Sequence, residues 1–178
     1  MKVPLITLCL AIALSAPGAT AEDSSRQPAA AIEVYFSPNG GCTDAILKEI
    51  SAAKNSVLVQ AYWFTSARIA KGLAEAHKRG VKVEVILDLS RAEIDNAQAD
   101  FLVENGVPTS IDDKHVTAHN KVIIIDGQVI ITGSFNFTEQ AEKANAENLM
   151  VVRDKAVADK FTANWKVHRG HSGRYGKQ

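Results

Sequence analysis

Nine residues, SVLVQAYWF from Ser56 to Phe64, limit the architecture more than any other stretch of the chain. Apolar side chains occupy both alternating sets of positions, so a strand here buries both faces and lies inside a sheet covered on each side. The flanking sequence supplies the neighbours and the covering layers. Ile32 to Phe36 alternates as a strand and breaks at Asn39-Gly40-Gly41. Thr43 is placed to cap a helix reaching about Lys54, with Ile46, Leu47 and Ile50 on one face. Ser66 caps the next helix, which carries Ile69, Leu73 and Ala76 and stops at Gly80. Val81 to Leu87 reads as a strand, Ala92 to Asn105 as a third helix, and a short segment near Ser110-Ile111 follows.

Lys121 to Ile125 and Val129 to Thr132 form two β runs joined by Asp126-Gly127-Gln128, a hairpin signal. Asn148 to Val152 is a further strand. Asp154 to Arg169 is an amphipathic helix with Val157, Phe161, Trp165 and His168 along one stripe. Helices alternating with strands, followed by hairpins, predict an α/β layered domain with a mixed central sheet flanked by helices. No repeat or linker divides it, so residues 22–178 form one expected domain.

The first 21 residues read differently. Met1-Lys2 is a short positive start, Leu5 to Leu14 an uncharged apolar run, and Ala19-Thr20-Ala21 has the small residues a signal peptidase accepts. The run is too short to span a bilayer, which predicts a secretory signal cut after Ala21 and a periplasmic or secreted product. Cys9 falls in that leader, leaving Cys42 alone and an intrachain disulfide impossible. Without Lys2 the 20 basic residues become one fewer than the 20 acidic ones. That balance excludes a globally basic nucleic-acid coat but not a local basic cleft.

The chemistry gathers at HNKVIIIDG, residues 119–127. Residues i and i+2 of a strand share a face, so His119 and Lys121 stand side by side while Asn120 points away. Gly133-Ser134-Phe135-Asn136 follows the second strand, adding a close turn and two uncharged hydrogen-bond donors, and Glu147 opens another apolar strand. A histidine, a fixed cation, a hydroxyl and an amide at strand ends suit a tetrahedral phosphate. Lysine neutralises its oxygens, Ser134 and Asn136 donate to them, and the imidazole attacks phosphorus or moves a proton. Asp126, five residues after Lys121, belongs by alternation to the opposite face and sits where turns favour Asp, which points to a structural role.

His119-x-Lys121, four residues, Asp126-Gly127, then Gly133-Ser134-x-Asn136, resemble the HKD signature of the phospholipase D superfamily. Most members carry the signature twice; this chain has it once and is short, so it most resembles the small bacterial Nuc-type endonucleases. The resemblance implies a phosphohistidine mechanism with two histidines, hence a homodimer with one His119 from each subunit. It also implies that Glu147 hydrogen-bonds and orients His119, that Lys121, Asn136 and Ser134 hold the phosphate, and that Asp126, Gly127 and Gly133 complete the motif. It implies no metal and no other cofactor. A free imidazole titrates near ~6.5, so a pair with one neutral and one protonated ring is accessible near neutrality.

Rival readings remain. His115 and His119, with Asp112 and Asp113, invite metal ligation, but the following β run argues against the helix that such spacing needs. His115 then reads as a loop residue near the cleft, and His168 and His171 as the end of a helix or a phosphate contact. Tyr62-Trp63-Phe64 mixes strand core with a rim position from which one ring could line a groove. A phospholipase D-type lipid phosphodiesterase is the alternative to an endonuclease acting on DNA, with RNA not distinguished. No stretch outside the leader has the strongly basic amphipathic character of a membrane-binding surface, so stable membrane association is not expected. A non-catalytic nucleic-acid-binding dimer is the third class, and the complete set of His119, Lys121, Asn136 and Glu147 opposes it.

Overall fold

A computed structural model describes residues 31–92 and 97–176. The expected leader, Met1 to Ala21, lies outside them. An eight-stranded mixed sheet forms the centre, in the order β1-β7-β6-β5-β2-β3-β4-β8. Its strands are β1 (Ala31–Ser37), β2 (Ser56–Ala61), β3 (Lys82–Asp88), β4 (Thr109–Asp112), β5 (Lys121–Ile125), β6 (Val129–Gly133), β7 (Glu147–Arg153) and β8 (Gly173–Arg174). β2, β3 and β4 pair in parallel, and every other pairing is antiparallel. As its composition requires, β2 is central, between β3 and β5.

The helices are α1 (Cys42–Ala52), α2 (Ala67–Lys78), α3 (Leu89–Ala92), α4 (Ala97–Glu104), α5 (Glu139–Lys143) and α6 (Lys155–His171). Strand alternation divides the core into two layers. Ile123 and Ile125 of β5 pack with Ile46, Ile50, Ile69, Leu73 and Leu102 from α1, α2 and α4. Val122 and Ile124 face the other way, toward Ala158 and Trp165 of α6. The indole of Trp165 donates to Val59 O at 2.9 Å, so this large buried ring leaves no polar atom unpaired.

Several boundaries differ from expectation for identifiable reasons. Thr43 does not cap α1; the cap position is Gly41, and the carboxylate of Glu142 accepts from Gly41 N and Thr43 N at 3.1 and 2.7 Å. A side chain 99 residues away thus replaces the local hydroxyl. β2 ends at Ala61: Tyr62 N keeps the β5 register by donating to Asn120 O, but beyond it Thr65 N and Ser66 N both donate to Phe137 O. The segment from Tyr62 to Ser66 therefore leaves the sheet and ties the start of β5 to the loop after β6. Of the expected third helix the described residues show Ala92, the last residue of α3, and α4, and α6 runs on to His171. Helix α5 and strand β8 carry too few residues for periodicity to reveal them.

Candidate active site

Five strand ends converge at one edge of the sheet: the C-terminal ends of β1, β2 and β6 and the beginnings of β5 and β7. Antiparallel pairing of β5 with both β2 and β6 brings these ends together. His119 lies two residues before the first residue of β5, Lys121. Asn120 points away as alternation requires, its Oδ1 accepting from Gln60 Nε2 at 3.2 Å. The Lys121 ammonium donates to His119 O at 2.9 Å.

Tyr62 closes one wall. Its ring centroid lies 4.3 Å from that of His119, and the Lys121 ammonium stands 4.7 Å above the same ring. The Arg91 guanidinium lies 4.8 Å from the centroids of both Tyr62 and Trp63, and its Nε donates to the Tyr62 hydroxyl at 2.7 Å. Beneath them, buried Asp88 accepts from Ala118 N at 2.6 Å, fixing the loop that delivers His119. Sequence reading did not single out Arg91 or Asp88. The available signal was position, since Asp88 ends a parallel strand, where α/β folds place their ligand-binding groups.

Ser134 and Glu147 enter from β6 and β7. Ser134 Oγ donates to Asn148 Oδ1 at 3.1 Å and accepts from Asn148 N at 3.0 Å. Gly133, with φ 155°, is required just before it: a Cβ there would lie 2.1 Å from Asn148 O. Asn136 Oδ1 is buried without a hydrogen-bond partner. Such an orphaned amide oxygen is uncommon in folded chains. The Glu147 carboxylate accepts from Asn145 Nδ2 at 3.0 Å. Among the described residues it makes no hydrogen bond to His119, and its effect on the site is electrostatic.

Burial pulls the Lys121 ammonium down to about 8, with the charges of Glu147 and Asp88 resisting. Burial also holds the His119 imidazole below its ordinary value; Lys121 and Arg91 push the same way and Asp88 opposes. The site thus keeps a neutral imidazole beside a cation that is charged at neutral pH. A nucleophile for phosphorus needs a free ring nitrogen, and a phosphate needs a counter-charge.

Asp126 is absent from this group. It sits at the opposite end of β5, roughly 20 Å of extended chain from His119. Its carboxylate accepts from Lys54 N, Asn55 N and Ser56 N at 2.9, 2.7 and 2.8 Å. Asp126 and Gly127 both have positive φ, 52° and 61°, a pairing for which Asp-Gly is suited in a tight hairpin. The acidic member of the motif therefore anchors the α1–β2 loop to the β5–β6 turn.

A family model described as "Cardiolipin synthase, PLD-like domain" matches residues 46–168. A phospholipase D of Rickettsia felis is 38% identical over 154 residues, spanning 86% of this chain and 77% of that protein. The mitochondrial cardiolipin hydrolase of Mus musculus is 29% identical over 142 residues, spanning 71% of this chain and 64% of that protein. Nuc from Salmonella typhimurium, a phospholipase D family member of known structure, matches with a TM-score of 0.79 at 33% identity, covering 83% of this chain and 99% of that one. Fold and site together define a hydrolase of phosphodiester bonds built on a mixed eight-stranded sheet. The chain belongs to the phospholipase D superfamily and stands close to its small Nuc-type members.

Proposed function

We propose that this chain is an exported endonuclease that hydrolyses DNA, or RNA, with little sequence preference and without a catalytic metal, as a homodimer. The carrying observation is the pairing of His119 with Lys121 at the sheet edge of a chain that spans nearly all of Nuc but holds the motif once. In the proposed reaction the neutral His119 of one subunit attacks phosphorus. A P–N bond forms as the P–O bond to the leaving group breaks, and the protonated His119 of the second copy gives its proton to the leaving oxygen. That second imidazole, now neutral, takes a proton from water, which attacks the phosphohistidine and frees the first ring. Lys121, Ser134 and Asn136 hold the non-bridging oxygens, and Glu147 sustains the charge on Lys121.

Support for the dimer comes from β1. Ile32, Val34 and Phe36 share one face of this edge strand and are all more than half-exposed or close to it, at 56, 50 and 66%. The stripe pairs with Val152, Met150 and Asn148 of β7 and ends beside Glu147. A second copy seated on it would cover the apolar face and bring two sites together. Support for a polymer substrate comes from Trp63 and Arg91, an aromatic ring and a guanidinium stacked at the rim beside His119. Flat bases and a phosphate backbone suit such a rim.

The relatives named for lipid hydrolysis sustain a second reading, a lipid phosphodiesterase. Purified protein offered plasmid DNA and phosphatidylcholine vesicles, each with excess chelator, decides between them. The expected result is nicked plasmid, intact lipid, no turnover by His119→Asn and a solution mass of two chains. Lipid cleavage with intact plasmid would overturn the nuclease reading.

A further inference from the structure

A second cluster of histidines lies away from the His119–Lys121 pair. Asp112, the last residue of β4, is fully buried and surrounded by three imidazoles. His168 Nδ1 is 2.7 Å from its Oδ2, His115 Nδ1 is 3.1 Å from both of its oxygens, and His171 Nε2 is 3.3 Å from Oδ1. One nitrogen from each ring and one carboxylate oxygen lie within 4.8 Å of one another. Asp112 closes β4 and His115 lies three residues on in the following loop; His168 and His171 are three apart in the last turn of α6, hence on one helix face.

We propose that Asp112, His115, His168 and His171 form a tetrahedral site for a divalent transition-metal ion, best matched by Zn²⁺, that clamps the catalytic loop to α6.

The geometry supports that ion. Imidazoles bound to zinc at about 2.0–2.1 Å in tetrahedral directions hold their ring centres about 5.2 Å apart. The three ring separations here are 4.8, 5.4 and 5.4 Å. Each nitrogen lies 2.7–3.3 Å from one or other Asp112 oxygen, and the four ligand atoms lie within 4.8 Å of one another, against about 3.3 Å between ligand atoms on one zinc ion, so the groups would draw in as the ion enters. Three nitrogens and one oxygen make a borderline ligand set, which favours zinc and its neighbours over calcium or magnesium.

A metal-free network accounts for the cluster less well. A carboxylate can accept from several N–H groups, and His168, His115 and Lys114 N all lie within hydrogen-bond distance of Asp112. Yet His171 Nε2 is buried and, despite its distance to Asp112, has no aligned hydrogen-bond partner. A cation at the centre of the four groups would supply that partner. Asp112 and His168 are shielded, their side chains 0 and 13% exposed, while His171 at 25% and His115 at 46% leave the ion a path in.

The site would be structural. The eight residues between Asp112 and Lys121 form the loop that delivers His119, and Asp88 fixes its far end through Ala118 N. The ion would fix its near end by joining His115 to the last turn of α6. With four protein ligands no position stays open for substrate, as in structural rather than catalytic zinc sites.

The test uses the full chain, stripped with chelator and then titrated with ZnCl₂ by calorimetry and with CoCl₂ by visible absorption. One zinc ion per chain, the absorption bands of tetrahedral Co²⁺, and a higher Tm with zinc are expected. His115→Ala and His171→Ala should each weaken binding more than about tenfold, while His119→Asn binds zinc like the wild type. Absence of stoichiometric zinc binding to the stripped wild-type chain, or equal binding by His115→Ala, would overturn the proposal. If neither alanine variant folds, the cobalt spectrum of the wild type decides: octahedral bands overturn the site and tetrahedral bands support it. Nuclease activity should survive stripping at temperatures where circular dichroism shows a folded chain, so failure here and failure of the proposed function remain separable.

Discussion

Tyr62 stacks its ring against His119 at a centroid distance of 4.3 Å and a tilt of 51°. The contact shields the imidazole and gives the Lys121 ammonium an aromatic face. Replacing Tyr62 with Ala removes part of the burial that lowers the His119 pKa. The pH optimum of kcat/KM should then move upward, and its maximum should fall by about tenfold. A pH–rate profile on a small phosphodiester checks both. An unmoved optimum would show that Tyr62 does not set the imidazole's environment.

For the wild type the sign of the pH dependence follows from two lowered pKa values. The proposed dimer would be productive with one His119 neutral and the other protonated. Burial and Lys121 disfavour protonation, so this form is populated on the acid side of the ordinary imidazole value, near ~6.5. The optimum of kcat/KM should therefore lie below that value. Activity should decline further through about pH 8, where Lys121 loses its proton. Glu147→Gln removes one of the charges that hold Lys121 protonated, so the alkaline decline should begin at lower pH, with kcat reduced by up to about 10²-fold.

Lys121 should trade stability for function. Its folded pKa is depressed, so the folded chain holds the charged form at a cost that is fully present below about pH 8 and disappears above the unfolded value. Lys121→Met should abolish turnover yet raise stability at pH 7 by about 1–3 kcal/mol. Denaturant unfolding at pH 7 and pH 10 tests the sign, because the gain should shrink at the higher pH.

Asp126→Asn should act in the opposite sense. The three backbone donors at Asp126 lie at the far end of β5, so the variant should lose about 1–3 kcal/mol while its folded fraction keeps the wild-type kcat. The lowered pKa of Asp126 means that its contribution is complete above the unfolded carboxylate range and is lost as pH falls through the folded value. The stability difference between variant and wild type should accordingly narrow in acid. A large loss of kcat in folded Asp126→Asn would place this carboxylate in the chemistry after all.

The His119–Lys121 pair was legible in the sequence because strand alternation alone puts i and i+2 on one face. The central position of β2 was legible because both its faces are apolar. Groups assembled by distant segments were not. The cap of α1 comes from Glu142, and Asp88 reaches Ala118 across two strand connections. His115 reads as a loop residue near the cleft, whereas the fold turns it toward His168 and His171, more than 50 residues further along the chain. Periodicity reports which face a side chain occupies; it carries no information about which remote face meets it.

The β1 stripe provides the most direct test of the shared site. Val34 lies at its centre, half-exposed, with its backbone paired to Met150 of β7. Val34→Glu leaves that ladder intact and puts a charge where the second copy would seat, so the monomer should fold normally and the dimer should dissociate. Two like charges facing each other across a two-fold axis in an apolar contact cost several kcal/mol, enough to separate chains at micromolar concentration. Activity per chain should then fall steeply and recover partly as protein concentration rises, because each site of the proposed dimer takes an imidazole from both copies. Sedimentation and plasmid nicking measured over the same concentration range provide the comparison. If folded Val34→Glu monomers cut DNA at the wild-type rate regardless of concentration, one histidine suffices, and the leaving oxygen must take its proton from another group.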